Sequence, residues 1–371
     1  MSATVAWLDH CDAEDRAPEV GQEPIMGGRP RVVLHIGLHK TGTRYLQREV
    51  FRPLDPTRYS VNPEPLWPAI RDAVRRPGDG VAAGKARAAV HRWRQSADSR
   101  TLVISEPHIS GDMYGNHHDF ADNLALMGEL FPEARIIYFV RNQADWLQSA
   151  YRQQLVKGAG IPLHVFLNHY EGRFCARPGR WVRGGRTVEA LNQRFLAVYR
   201  GYADVFGPER VALFRQEDLK RRPGDVKSQL AAVLGLDALP HPQRERLQNR
   251  SYSALAIRLF HPGTNRTLPP PTATDAATPR RRLRRAFRPL FRLRRLLIQH
   301  VFDRLLYLDW DLLAHDRMRE RLDAHYADEN RELARIAADV LRRPHPGRAD
   351  GHLEGDADGW ELAVDDMRNV R

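Results

Sequence analysis

Cysteine is almost absent from this chain, which has only Cys11 and Cys175 among its 371 residues. Two thiols cannot build the disulfide framework of a small secreted domain, and their number is compatible with a reducing compartment. They also cannot supply a cysteine-based metal cluster. The length allows one large domain or two modest ones with a sizeable core.

Long hydrophobic runs are missing too, since no uncharged apolar stretch approaches the roughly 18 residues that a membrane-spanning helix needs. The first thirty residues lack the basic start and apolar core of a signal peptide, and their acidic residues include Asp9, Asp12, Glu14 and Asp15. We therefore expect a soluble, cytoplasmic protein. A peripheral position at the inner membrane face stays open because of a basic stretch near the C-terminus.

Lysine is scarce, with five lysines in the chain, so arginine carries nearly all of the positive charge behind the formal net charge of +12. Such a balance points to anionic partners, which include nucleotides, acidic glycans, nucleic acid and membrane surfaces. The same arginine excess fits a coding bias that enriches arginine everywhere. Arginine clusters are therefore weak indicators of function here, and Lys40 is a stronger one.

The stretch Arg31–Gln47 changes physical character twice. Positions 32–36 form a nearly continuous apolar run with β-branched members, typical of a strand buried on both faces of a parallel sheet. A loop from Gly37 to Thr43 follows, with two glycines, one lysine and two threonines, and then an amphipathic helix begins. Backbone N–H groups at such a helix start, together with Lys40, predict a site for a phosphate-like dianion. The alternative is a strand–turn–helix unit whose glycines serve only the turn.

This loop is not a Walker A loop. In Walker A, a Gly-Lys pair is followed directly by a serine or threonine whose hydroxyl holds magnesium, whereas here Lys40 follows His39 and precedes the second glycine, Gly42. Read as Gly-x-x-Lys-Thr-Gly-Thr after a strand, it resembles the loop with which sulfotransferases hold the 5′-phosphosulfate of 3′-phosphoadenosine 5′-phosphosulfate (PAPS). The segment His35–Thr43 is especially similar to the bacterial members. The resemblance implies donor-binding roles for Gly37, His39, Lys40, Thr41, Gly42, Thr43 and Arg44. Arg44 departs from the family, which usually has a threonine there, although a guanidinium could reach an anion instead.

A second motif follows a later apolar strand, where Arg141 stands at the strand end and Ser149 lies eight residues on, in a helical pattern. The pair resembles the sulfotransferase element that binds the 3′-phosphate of PAPS. Arginine offers a bidentate fork and serine adds a neutral donor, which suits a phosphate. Taken alone, Arg141 would be an ordinary surface residue, and the two motifs together are more specific than either. Weaker resemblances extend the likeness over roughly residues 31–335, apart from the arginine- and proline-rich section.

Short apolar strands alternate with helical patterns along the chain. The predicted strands are 32–36, Thr101–Ser105, Ala134–Val140 and Arg210–Phe214. The predicted helices are 43–51, 81–97, near 124–130, near 146–155, 188–206, 226–234 and 314–342. Residues 52–68 are expected to be loop, and 158–186 a mostly irregular insertion suited to an acceptor. The alternation predicts an α/β fold, with a P-loop-type parallel sheet flanked by helices and a helical, arginine-rich C-terminal region.

We expect five sections, which follow shifts in composition. They are a disordered extension at 1–30, a sulfotransferase α/β core at 31–261, a Pro/Thr-rich linker at 262–279, a basic helical region packing on the core at 280–342, and an acidic tail at 343–371 that frays.

Sulfuryl transfer needs in-line attack by a hydroxyl, a base to take its proton, and positive charge at the leaving oxygens. Lys40 suits the last role. Glu106 is the preferred base because it follows a predicted strand, and parallel strands deliver their carboxyl ends to one crevice. His39 and His108 are rival bases, since histidine titrates in the useful range. The adjacent His117 and His118 fit no closed metal site, so no metal is expected.

These patterns predict a PAPS-dependent sulfotransferase acting on a hydroxyl of a carbohydrate or glycolipid. A magnesium-dependent P-loop nucleotide kinase and a non-catalytic protein that binds anions or a membrane surface remain as alternatives. The nine arginines of Arg280–Arg295 could contact anionic lipid, bind an acidic glycan, or form a solvated segment. No nucleic-acid partner is expected.

Overall fold

A computed structural model describes residues 31–96, 98–177, 180–182, 185–240, 251–261, 293–294 and 296–344. The expected extension at 1–30, the linker at 262–279, most of Arg280–Arg295 and the tail from residue 345 lie outside these residues.

Five parallel strands form the central sheet, in the order β2–β3–β1–β4–β9. The nine strands are β1 Val32–Gly37, β2 Tyr59–Val61, β3 Thr101–Ser105, β4 Arg135–Val140, β5 His169–Tyr170, β6 Arg173–Phe174, β7 Trp181–Val182, β8 Gly185–Arg186 and β9 Val211–Arg215. Strands β5–β6 and β7–β8 form two small antiparallel hairpins. The prediction of an α/β fold with a parallel sheet is confirmed.

Alternate residues of the strands enter two different cores, as the period of two in a strand requires. Val32, Leu34 and Ile36 of β1 join one cluster, whereas Val33 joins the other. Strand β1 is central. Its residue His35 lies opposite Ser105 of β3 in the strand register. Burial on both faces explains why the strand segments read as continuous apolar runs.

Helices cover both faces of the sheet. They are α1 Thr43–Tyr45, which continues as the π-helical Leu46–Phe51, α2 Leu66–Val74, α3 Gly80–Gln95, α4 Phe120–Leu130, α5 Gln143–Val156, α6 Leu163–Phe166, α7 Phe195–Phe206, α8 Gln216–Arg221, α9 Pro223–Leu234, α10 Ala254–Phe260, α11 Asp303–Leu305, α12 Met318–His325 and α13 Ala327–Arg342. A 3₁₀ turn, Pro107–Ser110, follows β3, and a π-helical segment, Ile298–Phe302, precedes α11. No helix among these residues is both long enough and apolar enough to cross a membrane.

Two expectations about local structure were wrong. The segment 52–68 is not all loop, because it contains β2 and the start of α2. The helix expected at 188–206 begins only at Phe195. Before that point the backbone is held by tertiary hydrogen bonds, in which the Gln193 N–H donates to the Tyr326 hydroxyl at 2.8 Å and that hydroxyl donates to the Ala190 carbonyl at 2.8 Å.

The C-terminal helix α13 packs on the central sheet and on α9. Val340 and Leu341 join the core cluster beneath β9, while Leu333 and Ile336 join the cluster on the other face. The same helix therefore spans the edge of the sheet. The division of the chain into a core at 31–261 and a basic helical region at 280–342 that packs on it remains a prediction.

Candidate functional site

The loop after β1 is held at both of its sides. The Leu38 N–H donates to the Phe139 carbonyl at 2.8 Å, and the Trp146 indole N–H donates to the His39 carbonyl at 2.7 Å. These bonds fix the loop to β4 and to α5, so its position relative to the neighbouring strand end is set by backbone and indole contacts.

Gly37 ends β1 where no other residue fits well. Its φ is 109°, and a Cβ there would lie 3.1 Å from the Pro107 carbonyl oxygen and 3.2 Å from the Ser110 hydroxyl. The close approach brings the loop against the 3₁₀ turn that follows β3. Gly42 also has a positive φ, 92°, but nothing lies within 4 Å of a Cβ placed there. The loop therefore faces open space at Gly42.

Both loop threonines bind the loop itself. The Thr41 and Thr43 hydroxyls donate to the Leu38 carbonyl at 2.7 and 3.0 Å. Each hydroxyl has one proton to donate, so in this arrangement the threonines hold the loop shape and offer lone pairs outward. Helix α1 starts at Thr43 without a side-chain cap, which leaves its first backbone N–H groups as the natural anion donors.

Several positively charged side chains lie close to Lys40. Burial, followed by the charges of Arg141, Arg44 and Lys157, lowers the pKa of Lys40 to about 8. Lys40 makes no ion pair with any residue that the structure describes. Cations held together in this way are stabilised by an anion bound between them.

Arg141 directly follows β4, next to the loop in the sheet. Burial lowers the pKa of its guanidinium, while Asp145 and Glu217 act in the opposite direction. Ser149 is half-buried on α5, and its hydroxyl makes no hydrogen bond to a described residue. Asp145 and Ser149 are four residues apart in α5, which places them on one face of this helix, and Asp145 also acts on the pKa of Arg141. Asp145 is already paired with Arg319 at 2.8 Å.

Glu106 and His108 form a close pair at the end of β3. The Glu106 Oε1 lies 2.5 Å from His108 Nδ1 and also accepts from the His108 backbone N–H at 3.3 Å. Arg71 Nε stands 3.6 Å from the other carboxylate oxygen. Arg75 Nε lies 3.3 Å from the same His108 Nδ1, but that atom cannot both accept from Arg75 and donate to Glu106, and the shorter contact with the carboxylate is the stronger. The His108 side chain is 29% exposed against 4% for Glu106, so the imidazole is the accessible half of the pair.

His39 packs edge-on against His108, with ring centroids 4.6 Å apart. Burial, together with the neighbouring charges of His108, His117, Lys157 and Arg75, holds the pKa of His39 well below its usual value. Its Nδ1 is buried without a hydrogen-bond partner among the described residues. His39 is therefore a neutral ring near pH 7, with little basicity to offer.

The structure brings the loop, the Glu106–His108 pair and Arg141 to one edge of the sheet, and Ser149 lies farther along the chain, on α5. The loop follows β1, Glu106 follows β3 and Arg141 follows β4, and these three strands are adjacent. Arg44 is exposed on the first turn of α1, and Arg141 and Arg44 both act on the pKa of Lys40. Carboxyl ends of adjacent parallel strands are where open α/β sheets bind ligands.

Sequence reasoning missed the residues that support the pair. Arg71 lies in α2 and Arg75 caps its C-terminal end, and the proline-rich composition before this helix did not predict it. The sequence predicts only that Ser105 ends a strand. In the structure its hydroxyl lies 2.7 Å from His35 Nδ1 and accepts from the Gln47 amide at 3.1 Å. Burial lowers the pKa of His35 to about 3, so this ring is a neutral structural partner of Ser105.

The described residues contain no group of three or more histidine, cysteine, aspartate or glutamate side chains placed to hold a metal ion. His117 Nδ1 lies 2.9 Å from the Ser110 carbonyl, and His118 contacts the Gly115 carbonyl. Both rings are thus engaged with their own loop.

No known protein-family model matches this chain. No curated protein matches it either. Among solved structures, a sulfotransferase from Alicyclobacillus acidocaldarius is similar at 20% identity and a TM-score of 0.40, over 65% of this chain and 98% of that one. A likeness this distant carries no argument about activity, which has to come from the site.

Proposed function

We propose that the chain is a sulfotransferase that moves a sulfuryl group from PAPS to a hydroxyl of a carbohydrate or glycolipid. One observation carries the proposal. At the carboxyl edge of three adjacent strands, a glycine-rich loop with Lys40 stands beside Arg141 on one side and the Glu106–His108 pair on the other. Two anion-binding elements next to a proton acceptor are what this transfer requires.

The residues present fit a donor with two separate anionic ends. Lys40 and the first N–H groups of α1 suit a phosphosulfate, since Lys40 has no acidic partner among the described residues and Gly42 leaves the loop open. Arg141 and Ser149 suit a second phosphate, because Ser149 keeps its hydroxyl free of described partners. Bound PAPS would supply the activated sulfuryl group.

The chain's own residues then bind, orient and move one proton. Lys40 places positive charge where negative charge develops on the leaving phosphate. Glu106 accepts the proton of His108 Nδ1 in a hydrogen bond, which leaves His108 Nε2 as the atom that takes the proton of the acceptor hydroxyl. His39 packs on the His108 ring and limits its rotation. In this assignment Glu106 positions the base instead of acting as the base itself.

Two aromatic rings that pack near Arg186 suit a sugar acceptor. The Arg186 guanidinium lies 5.4 Å from the Tyr114 ring centre and 6.0 Å from that of Trp181. The Gln154 amide donates to the Arg186 carbonyl at 2.7 Å, which ties the β7–β8 hairpin to α5 one turn before Lys157. Flat aromatic faces next to a polar site are suited to stacking on sugar rings. We propose Trp181 and Tyr114 as part of the acceptor surface.

Calorimetric titration separates this proposal from its alternatives. We expect 3′-phosphoadenosine 5′-phosphate (PAP) to bind about tenfold or more tightly than AMP, because a charged contact with the 3′-phosphate contributes roughly 1.5–3 kcal/mol. Arg141→Gln should remove that preference. Arg135→Gln is the matched control, since Arg135 is also half-buried but starts the same strand at the opposite edge of the sheet.

Each alternative forecasts a different result. Tight binding of ATP that requires magnesium would identify a kinase. Absence of binding by PAP, AMP and ATP would identify a non-catalytic protein. Equal affinities for PAP and AMP would remove Arg141 and Ser149 from the donor site.

A further inference from the structure

Exposed apolar side chains are concentrated between residues 259 and 310 of the chain, and five of them, Leu293, Leu297, Val301, Leu305 and Leu306, line one groove. Of the 13 large hydrophobic side chains that the described residues expose, nine belong to this part. We call them the leucine patch: Leu259, Leu293, Leu296, Leu297, Val301, Leu305, Leu306, Leu308 and Trp310. Soluble surfaces scatter such residues singly, and a contiguous set marks a surface that contacts something apolar.

The patch lies on the outer side of a helical stretch whose inner side is anchored. Ile298 and Asp303 of this stretch are buried, and the Asp303 carboxylate accepts from the Ser253 hydroxyl at 2.6 Å. The leucines face outward, and a groove of about 400 Å³ runs between them and Phe260. The orientation is the reverse of that in an ordinary surface helix, where the apolar side faces the core.

Exposed arginines are neighbours of patch residues in the chain. Arg258, Arg294 and Arg304 are exposed next to Leu259, Leu293 and Leu305, and eight further arginines occur in the sequence of Arg280–Arg295. The nearby acid Asp309 is paired with Arg152 at 2.7 Å. Exposed leucines, one tryptophan and a basic border are the chemistry that binds the interface of an anionic bilayer. A second copy of this chain would instead bring like charges together.

We propose that the leucine patch and the exposed Arg258, Arg294 and Arg304 dock the protein on an anionic lipid bilayer. Leucine, valine and tryptophan side chains insert at the headgroup level, and the arginines contact lipid phosphates. No residue of the leucine patch is among the proposed donor-site residues, so docking does not depend on the proposed transferase activity.

Vesicle co-sedimentation of the full-length chain tests the proposal. The wild type should bind phosphatidylcholine vesicles that contain phosphatidylglycerol, and it should bind pure phosphatidylcholine much more weakly. The variant with Leu297→Ser, Val301→Ser and Leu305→Ser should lose about tenfold or more in partitioning, because each change removes methylene groups from the bilayer. These side chains are exposed, so thermal unfolding and PAP affinity should stay as in the wild type.

A matched control changes exposed apolar residues elsewhere, with Val81→Ser, Leu191→Ser and Val205→Ser. This variant should bind vesicles like the wild type. The proposal is overturned if the wild type ignores anionic vesicles, or if the patch variant binds them unchanged. A wild type that ignores vesicles but forms a dimer that the patch variant abolishes would assign the patch to a second copy. Vesicle binding that appears only after residues 262–292 are deleted would assign it to a segment of the same chain.

Discussion

Burial disfavours the positive charge of Lys40, but its proposed role in donor binding needs that charge. Its folded-state pKa of about 8 lies below the ordinary value of 10.5, so the folded protein binds fewer protons than the unfolded chain between these pH values. The resulting destabilisation is fully present below pH 8 and disappears as the pH rises above about 10.5. Lys40→Met should therefore raise the free energy of unfolding at pH 7, by at most about 3 kcal/mol, and abolish turnover.

Urea unfolding at pH 7 and at pH 10.5, together with PAP titration, checks this expectation. The stabilisation should fall to about 0.4 kcal/mol at the higher pH, where half of the unfolded-state lysine is already neutral. Lys85→Met, on the exposed side of α3, should change neither stability nor binding. Activity retained in Lys40→Met would exclude the lysine from the donor site.

The Glu106–His108 pair should behave as one unit in kinetics. Glu106→Gln and His108→Asn should each lower kcat by about 10²–10⁴-fold, and the double variant should be no worse than the poorer single variant. PAP affinity should be nearly unchanged in all three. His39→Asn should have the smallest effect, because its ring is a neutral packing partner.

Rate measurements on the four variants decide the base assignment. A large loss in Glu106→Gln with nearly normal rates in His108→Asn would make Glu106 itself the base. If instead His39→Asn is the most impaired, the proton acceptor is His39 and the pair is structural.

At the scale of elements, Gly37 allows β1 to pack closely against the turn that follows β3. Gly37→Ala should lower the free energy of unfolding by about 1–3 kcal/mol, because it combines a positive φ with a contact at 3.1 Å to Pro107. It should also lower activity, since the displaced turn carries His108. Gly78→Ala is the control for the φ alone, with φ 79° and nothing within 4 Å of the new Cβ. Equal losses in the two variants, measured by urea unfolding, would mean that the contact at Gly37 is easily relieved.

The β7–β8 hairpin offers a test of the acceptor surface. Trp181 is 58% exposed, so Trp181→Ala removes stacking area without opening the core. We expect the acceptor KM to rise about tenfold while PAP affinity stays unchanged, as loss of one stacked ring would give. Initial-rate kinetics with varied acceptor measure this, and Leu191→Ala serves as an exposed control. An unchanged acceptor KM would remove Trp181 from the acceptor surface.

Element prediction succeeded where burial on both faces made a strand continuously apolar, as in β1, β3, β4 and β9. It failed at β2 and α2. Three residues of an edge strand are too few for a period, and Pro68 lies in the first turn of α2, where the missing N–H costs nothing. Because α2 was not predicted, the contacts of Arg71 with Glu106 and of Arg75 with His108 could not be predicted either. The pairing of Glu106 with His108 depends on a 3₁₀ turn that local sequence does not specify.

At the scale of the whole molecule, α5 joins the donor site to the C-terminal region. The Gln148 amide donates to Asp311 at 2.6 Å, and Arg152 pairs with Asp309 at 2.7 Å. Arg319 bridges Asp145 and Asp311 at 2.8 and 2.7 Å. These polar contacts of α5 come from residues 309–319, which lie after Arg280–Arg295 in the sequence.

Deleting Arg280–Arg295 should therefore leave PAP affinity within about twofold, as expected for a site that shares no partner with Arg141 or Ser149. Arg319→Met should weaken PAP binding more than the deletion does, because it frees Asp145 to compete for Arg141. Deletion of the linker at 262–279, which is of similar length, controls for shortening the chain. Calorimetry on the three variants makes the comparison. A large loss of PAP affinity on deleting Arg280–Arg295 but not 262–279 would mean that the arginines close over the donor, and the division between residues 31–261 and 280–342 would then be wrong.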